Sequence, residues 1–267
     1  MIPRSLRGYL FDMDGVLYRG RRVLPGARAL LAALDRKGIP FALVTNNSTR
    51  TPRQYTRFLA TMGMRVPAKR IVTSSVGTAA YLRAALPPGS RVLVVGEPPF
   101  RHLVVRAGFT VAWEDVSAVV VGLDRRLTYA KLARATAAIA RGAAFIASNA
   151  DPMLPTEHGA LPGAGALVAA VAHATGRTPI VIGKPDPRLL HEAMARIGTR
   201  PEQTAMVGDQ LGTDIAAGRA AGLFTILVLT GVTTNRSPTD CDPRPDLTVR
   251  DLNDLRRWMA GESLRPD

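Results

Sequence analysis

The sequence predicts an α/β protein built on a parallel sheet that helices cover on both faces. Short apolar runs alternate with amphipathic stretches along most of its 267 residues. Strands buried on both faces have this uniformly apolar composition, whereas strands with one wet face alternate apolar and polar residues. Glycines follow several amphipathic stretches, at the position where helices commonly end. We therefore expect a doubly wound architecture in which strands and helices alternate.

The two outer parts of the chain carry one set of these elements. The expected strands are GYLFD at 8–12, FALVTNN at 41–47, RIVTSS at 70–75, PIVIGKP at 179–185, TAMVGD at 204–209 and FTILVL at 224–229. The expected helices lie at 27–37, 52–62, 187–197 and 214–221. Together they predict one continuous core sheet.

The middle of the chain repeats the same alternation. Strands are expected at RVLVVGE (91–97), AVVVGLD (118–124) and AFIASNA (144–150), with helices at 99–107 and 128–141. We expect a self-contained α/β insertion at 78–178. Residues 1–77 and 179–267 would then form the core.

Composition narrows the classes of function. The formal net charge is +14, and nearly all cationic residues are arginines. These arginines are scattered, without zinc-ligand spacing or a base-stacking aromatic motif, so we favour solvated helix faces over a nucleic-acid surface. A basic nucleic-acid-binding protein is kept as an alternative.

Cys241 is the single cysteine, and no apolar run reaches the ~18–20 residues that span a bilayer. We expect a soluble cytoplasmic protein with no membrane partner and no nucleic-acid partner.

Polar side chains gather after four of the expected strands. They are Asp12 and Asp14 after GYLF, Thr45, Asn46 and Asn47 at the end of FALVTNN, Lys184 after PIVIG, and Asp209 and Asp214 after TAMVG. In open parallel sheets, ligands bind in the crevice outside the carboxyl ends of the strands. Two aspartates at the end of a buried strand repel each other and resist desolvation, so a positive charge should lie beside them.

The segments DMDGVLYRG, TNNSTR, GKPDP and GDQLGTD resemble the four motifs of the haloacid dehalogenase-like hydrolase superfamily. They are most similar to its phosphatase branch with a large α/β cap, and VVVGLDRRLTY and SNADPMLPTEHGALPGAG resemble that cap. The resemblance covers about residues 8–231. It implies a Rossmann-like, doubly wound core at 1–77 and 179–267 and a C2-type cap domain at 78–178.

The resemblance implies a role for each polar cluster. Asp12 is expected to attack phosphorus and form an aspartyl-phosphate. Asp14 is expected to act first as general acid and then as general base. Thr45, Asn46 and Asn47 are expected to donate hydrogen bonds to the phosphate.

The same resemblance implies a metal site. Mg²⁺ is the expected cofactor, held by Asp12, the backbone carbonyl of Asp14, and Asp209. Lys184 is expected to neutralise the phosphate and the Asp12 carboxylate. Asp214 would support the water shell of the metal, and an N-terminal cap on the helix at 214–221 is its alternative or additional role.

The function we expect is Mg²⁺-dependent hydrolysis of small phosphomonoesters, with 4-nitrophenyl phosphate as an artificial substrate. Phosphoglycolate-like, sugar, nucleotide and pyridoxal phosphates are candidate substrates. The alternative within the superfamily is a 2-haloacid dehalogenase, but such enzymes lack the acid/base at Asp14 and need no metal. A phosphate-accepting receiver domain is disfavoured, because receivers are about half this length and lack a large cap.

Substrate choice is expected to fall to the cap loop at 149–163. His158 lies in this loop and is a candidate for substrate contact, although an ordinary loop residue is the favoured interpretation. Members of the branch often dimerise through the cap, and the apolar cap helices of this chain are compatible with a homodimer.

Overall fold

The computed structural model describes residues 6–156, 159–234 and 242–262. In chain order, the strands of the described residues are β1 (Gly8–Phe11), β2 (Tyr18–Arg19), β3 (Arg22–Val23), β4 (Phe41–Thr45), β5 (Ile71–Thr73), β6 (Arg91–Val95), β7 (Thr110–Val111), β8 (Ala118–Val121), β9 (Ala144–Ala147), β10 (Met153–Thr156), β11 (Gly159–Pro162), β12 (Ile180–Val181), β13 (Thr204–Gly208), β14 (Phe224–Val228) and β15 (Leu247–Val249). The α-helices are α1 (Ala27–Arg36), α2 (Pro52–Thr61), α3 (Ser74–Ala85), α4 (Pro98–Arg106), α5 (Tyr129–Ala140), α6 (Ala164–Thr175), α7 (Arg188–Ile197), α8 (Ala216–Ala220) and α9 (Leu252–Met259). Cys241 and His158 lie outside the described residues.

The chain divides into two compact units. The first contains the described parts of Met1–Thr45, Tyr55–Val72 and Lys184–Asp267. The second contains the described parts of Asn46–Gln54 and Thr73–Gly183. The insertion borders expected at 78 and 178 stay predictions.

A six-stranded sheet in the order β15–β14–β13–β1–β4–β5 organises the first unit. Its pairs from β15 to β4 are parallel, and in their register Phe11 lies between Val207 and Leu43. Every residue of β1, β4 and β13 is buried, as the uniformly apolar runs predicted. The doubly wound α/β core is therefore confirmed.

Helix α1 shows how the first unit covers this sheet. Its buried residues Ala27, Leu30, Leu31 and Leu34 recur at helical spacing and join the core cluster that contains Phe11. Burying one such leucine contributes about 2 kcal/mol. The helices expected at 27–37, 52–62 and 187–197 are thus found within a residue of their predicted ends.

The helix expected at 214–221 has a different form. A π-helical turn, Leu211–Ile215, comes first, and α8 follows it directly. Asp214 lies inside that turn instead of at a helix start. The backbone is helical earlier than predicted because the N–H groups of Asp214 and Ile215 both donate to the Gln210 carbonyl, at 2.9 and 3.2 Å.

A five-stranded parallel sheet in the order β12–β9–β8–β6–β7 organises the second unit. Leu93 and Val95 of β6 belong to one apolar cluster, whereas Val92 and Val94 belong to another. Because alternate residues of a strand point to opposite faces, both faces of this sheet are covered.

Three expectations for local structure need correction. The run PIVIGKP was expected in the core sheet, but β12 pairs with β9 of the second unit, where Ile180 lies opposite Ile146. The cap loop contains two strands, β10 and β11, which pair antiparallel. RIVTSS is a strand only to Thr73, whose hydroxyl accepts the Val76 N–H and caps α3.

No helix among the described residues combines the length and apolar composition needed to cross a bilayer.

Candidate active site

Three neighbouring strands of the first unit end in acidic or hydroxyl residues. Asp12 follows β1, Asp209 follows β13, and Thr45 is the last residue of β4. Because β13, β1 and β4 are adjacent and parallel, their carboxyl ends share one edge of the sheet. Asp12, Asp209 and Thr45 are all buried there. Strand β1 is the point at which the strand order reverses direction, with β4 and β5 on one side and β13, β14 and β15 on the other. Open α/β sheets bind ligands at such a switch point.

Lys184 lies among the aspartates of this edge. Its Nζ donates hydrogen bonds to Asp12 Oδ1 and to Asp214 Oδ1, each at 2.6 Å. The side chain is only 2% exposed. Burial by itself lowers the pKa of Lys184, but the attraction of the Asp12 and Asp214 carboxylates outweighs burial and raises that pKa above its usual value. The ammonium is therefore held in its charged form.

Asp214 uses both of its carboxylate oxygens within the protein. Oδ1 accepts the Lys184 ammonium, and Oδ2 accepts the backbone N–H groups of Asp209 and Gln210 at 3.1 Å each. The N-terminal cap predicted for Asp214 is wrong, because Ile215 occupies that position before α8 and makes no side-chain capping bond. Asp214 instead fixes the backbone around Asp209.

One carboxylate oxygen of Asp209 has no hydrogen-bond partner in the described part of the chain. Its Oδ2 accepts the backbone N–H of Val232 at 2.6 Å. Its Oδ1 is buried and has no hydrogen-bond partner among the described residues. Burial, with a further contribution from the charge of Asp214, raises the pKa of Asp209 to about 7. A buried carboxylate oxygen that accepts no hydrogen bond would be stabilised by a bound cation or by protonation.

Glycines make room for these two aspartates. A Cβ on Gly15 or on Gly231 would overlap the Asp209 carboxylate, and a Cβ on Gly208 would overlap Asp214. Sequence reasoning did not identify Gly208 or Gly231. The available signal was weak, because both glycines only stand at or just beyond the end of an apolar strand.

The charges of the cluster fit a divalent cation. Ligand oxygens of Asp12, Asp209 and Asp214 lie within 4.8 Å of one another. Burial raises the pKa of Asp12 well above its usual range, an effect that Lys184 opposes and the other two aspartates reinforce. If all three carboxyl groups were ionised beside the one ammonium, two negative charges would be left for a cation to offset. These hard oxygen donors, which include an Asp209 Oδ1 with no hydrogen-bond partner in the described ranges, suit a metal that prefers oxygen ligands.

Asp14 stands apart from the three converging carboxylates. Its side chain is exposed, whereas Met13 before it is fully buried. A tight turn follows, in which the Gly15 N–H donates to the Tyr18 carbonyl and the Leu17 N–H donates to the Met13 carbonyl, both at 2.9 Å. An exposed carboxyl group is able to exchange protons with water, as a general acid and base must.

The two asparagines after Thr45 belong to the second unit. Asn46 donates from its side chain to Asp151 at 3.0 Å, and its carbonyl accepts the Asn149 side chain at 2.7 Å. The Asn47 side-chain oxygen accepts both the N–H and the hydroxyl of Thr49. The structure therefore brings Asp12, Lys184, Asp209 and Asp214 into one cluster, whereas Asn46 and Asn47 make contacts within their own unit. A phosphate contact by either asparagine stays a prediction.

Two family profiles match the chain. One is described as haloacid dehalogenase-like hydrolase and matches residues 9–110, and the other is described as HAD-hydrolase-like and matches residues 181–255. The matched ranges contain all members of the buried cluster, Asp12 in the first and Lys184, Asp209 and Asp214 in the second.

Individual proteins resemble the chain over nearly its whole length. A 5′-nucleotidase YutF from Bacillus subtilis is 38% identical over 96% of this chain and 98% of its own. An acid sugar phosphatase from Staphylococcus aureus is 38% identical over 94% of this chain and 97% of its own. The crystal structure of a 4-nitrophenylphosphatase from Thermotoga maritima matches with a TM-score of 0.90 at 34% identity, covering 95% of this chain and 97% of that one. The chain is therefore an enzyme that belongs to the haloacid dehalogenase-like hydrolases, in the phosphatase branch that carries a large α/β cap.

Proposed function

We propose that this enzyme hydrolyses phosphomonoesters of small organic molecules with the help of Mg²⁺ and through an aspartyl-phosphate intermediate. The observation that carries the proposal is the position of Asp12. Its carboxylate lies 2.6 Å from a buried ammonium, and the cluster around it includes an Asp209 oxygen that lacks a partner among the described residues. A nucleophile for a phosphate dianion needs such nearby positive charge.

In the first step, a carboxylate oxygen of Asp12 forms a bond to phosphorus while the bond from phosphorus to the ester oxygen breaks. Asp14, as the carboxylic acid, gives its proton to the departing oxygen, so the alcohol leaves neutral. The Lys184 ammonium offsets the negative charge on the phosphoryl oxygens. The products are the alcohol and phosphorylated Asp12.

In the second step, water replaces Asp12 on phosphorus. The Asp14 carboxylate takes a proton from the water as the water oxygen bonds to phosphorus and the bond to the Asp12 oxygen breaks. Inorganic phosphate leaves, the Asp12 carboxylate is restored, and Asp14 is again protonated for the next turnover.

The residues proposed to hold Mg²⁺ are Asp12, Asp209 and the backbone carbonyl of Asp14. When bound, the cation would relieve repulsion among the carboxylates and polarise the phosphoryl group. Asp214 is proposed to act indirectly, because both of its oxygens already accept hydrogen bonds within the protein.

The proposed substrates are small organic phosphates, with sugar phosphates and nucleotides among them and 4-nitrophenyl phosphate as an artificial substrate. Similar proteins bear names as different as 5′-nucleotidase, acid sugar phosphatase and 4-nitrophenylphosphatase, which supports a broad class and not one alcohol. Thr45, Asn46 and Asn47 are proposed phosphate-binding residues. Substrate selection by residues 149–163, a homodimer and a cytoplasmic location stay predictions.

Phosphate release from 4-nitrophenyl phosphate tests the proposal. We expect turnover with Mg²⁺, loss of turnover in EDTA and its return when Mg²⁺ is added in excess. Asp12→Asn keeps the size of the side chain but removes the nucleophilic oxygen anion, so it should abolish turnover. Undiminished phosphate release in EDTA, or from the Asp12→Asn enzyme, would reject the proposal. A screen of phosphorylated metabolites with the same assay would then identify the preferred alcohol.

A further inference from the structure

We infer that Arg19 is a positioning residue that orients the Asp209 carboxylate for the metal, an inference that rests on the proposed function. Arg19 lies outside the acidic cluster, on the hairpin formed by β2 and β3. No charged group of Arg19 needs to touch substrate or metal for this role. It acts through the loop that follows β14.

The first contact joins the hairpin to this loop. Arg19 Nη2 donates hydrogen bonds to the carbonyl oxygens of Thr230 and Gly231, both at 3.0 Å. Two consecutive carbonyls bound by one planar guanidinium fix the orientation of the peptide between them. The hairpin thereby sets the path of the chain into Val232.

The second contact joins the loop to Asp209. The Val232 N–H donates to Asp209 Oδ2 at 2.6 Å, and the Thr233 N–H donates to the Asp209 carbonyl at 3.2 Å. Gly231 packs so close that a Cβ there would overlap the Asp209 carboxylate. The position of this loop therefore decides where the carboxylate lies.

A third contact joins the same loop to the turn at Gly15. The Thr230 hydroxyl donates to the Gly15 carbonyl at 2.6 Å, and Gly15 faces Asp209 so closely that it too has no room for a Cβ. Asp209 is thus held between Gly15 and Gly231, which Thr230 and Arg19 tie together. With Oδ2 engaged by Val232, Oδ1 is the oxygen left for a cation.

Removal of Arg19 should loosen the loop and let the Asp209 carboxylate rotate. Groups that hydrogen-bond a metal ligand typically change metal affinity by about 10- to 100-fold. Arg19 binds the carbonyl of the peptide group whose N–H, at Val232, makes that bond to Asp209. We therefore expect weaker metal binding as the first effect, with a smaller fall in kcat at saturating Mg²⁺. A general loss of structure would instead lower kcat at every Mg²⁺ concentration.

The chain offers a matched control on the same hairpin. Arg22 lies opposite Arg19 in the β2–β3 register and is exposed, and no hydrogen bond joins it to the loop among the described residues. Arg22→Ala removes the same charge from the same element. Arg19→Lys keeps the charge but replaces the planar guanidinium, whose Nη2 makes both bonds, with a shorter side chain that ends in an ammonium, so it should recover metal binding only in part. Thr230→Val removes the hydroxyl bond to Gly15 and leaves Arg19 in place.

The experiment is a titration of the substrate-free protein with Mn²⁺, as a stand-in for Mg²⁺, with free Mn²⁺ measured by electron paramagnetic resonance. We expect Arg19→Ala to raise the Kd for Mn²⁺ by about 10-fold, Thr230→Val to raise it as well, and Arg22→Ala to leave it at the wild-type value. Circular dichroism checks that each variant is folded. Should Arg19→Ala fail to fold, Arg19→Met takes its place in the titration, because it keeps the aliphatic part of the side chain and removes both hydrogen bonds to the loop.

Asp209→Asn separates this inference from the proposed function. If Asp209→Asn weakens Mn²⁺ binding but Arg19→Ala and Thr230→Val do not, the inference is overturned and the proposed metal site stands. If the wild-type protein does not bind Mn²⁺, or Asp209→Asn binds it unchanged, both are overturned. Equal weakening by Arg22→Ala and Arg19→Ala would also overturn the inference, because it would show an effect of net charge alone.

Discussion

The ammonium of Lys184 lies 2.6 Å from the carboxylate of Asp12, although 172 positions of sequence separate the two residues. Both side chains are buried, and the same ammonium also binds Asp214 at 2.6 Å. Breaking a buried ion pair by removing one partner typically costs about 3–5 kcal/mol, because the other charge stays buried and unpaired. Each charge of the cluster therefore depends on the others, and removal of one is expected to destabilise those that remain.

Lys184→Met should reduce both activity and stability. Methionine fills a similar volume without charge, so Asp12 and Asp214 lose their shared cation. We expect kcat for 4-nitrophenyl phosphate to fall by about 10²–10³ and the free energy of unfolding to fall by about 3–5 kcal/mol. Steady-state kinetics and urea unfolding measure the two effects.

Lys69→Met is the matched control for this variant. Lys69 is exposed and lies in the first unit, so the same chemical change should leave kcat and the midpoint of unfolding at their wild-type values. An unchanged kcat in Lys184→Met would argue against any part for this ammonium in catalysis.

Gly231→Ala should weaken the metal site through a single methyl group. The backbone at Gly231 is not in the left-handed region, so alanine meets no conformational barrier there, but its Cβ would overlap the Asp209 carboxylate. Asp209 must then shift or the loop must move. We expect the Mg²⁺ concentration for half-maximal activity to rise by about 10-fold, which a Mg²⁺ titration of the initial rate would measure.

Gly212→Ala serves as the comparison for that variant. Gly212 is also outside the left-handed region, and a Cβ there would meet no atom within 4 Å. The Mg²⁺ titration of this variant should match wild type. If Gly231→Ala also matched wild type, the glycine would not be needed to seat Asp209.

The stabilisation that Mg²⁺ provides should grow with pH. Burial raises the pKa of Asp209 to about 7 in the metal-free protein, above the value of about 3.9 expected for an unfolded chain. A carboxyl group whose pKa is raised by folding favours the folded state when protonated, so its contribution is lost as pH rises from about 4 towards about 7. Bound Mg²⁺ offsets this loss, because it favours the carboxylate.

Thermal unfolding of the wild-type protein in Mg²⁺ and in EDTA measures this effect. The difference in Tm between the two conditions should be small at pH 5 and larger at pH 8. Asp209→Asn carries no titrating group at that position, so the difference in Tm between Mg²⁺ and EDTA should depend less on pH in this variant. A difference in Tm that is constant between pH 5 and pH 8 in the wild-type protein would contradict the prediction.

Much of the core could be predicted from the sequence because burial on both faces leaves a strong signal. The apolar runs before Asp12, Thr45 and Asp209 are strands of one sheet, and parallel pairing brings their ends to one edge. The assignment of β12 to the core sheet failed for a physical reason. A strand of two residues is able to pair with either sheet, and local composition does not specify its partner.

The supporting contacts of the site could not be predicted in the same way. Arg19 and Val232 act through backbone carbonyl and N–H groups, which every residue type possesses. Gly231 contributes by the side chain that it lacks. Such contacts depend on the tertiary path of the loop after β14, which the sequence pattern does not indicate. The acidic residues could be identified because a charged residue at the end of an apolar strand is unusual.

Detection of phosphate on Asp12 tests the central claim most directly. In Asp14→Asn, the first step should persist with 4-nitrophenyl phosphate, because nitrophenolate leaves readily without an acid, but the second step loses its base. Loss of a general base typically costs about 10²–10⁴ in rate. The variant should release about one nitrophenolate per enzyme in a burst, and after an acid quench ³²P-labelled phosphate should map to the peptide containing Asp12. Turnover without any labelled enzyme, or label on another residue, would contradict the account.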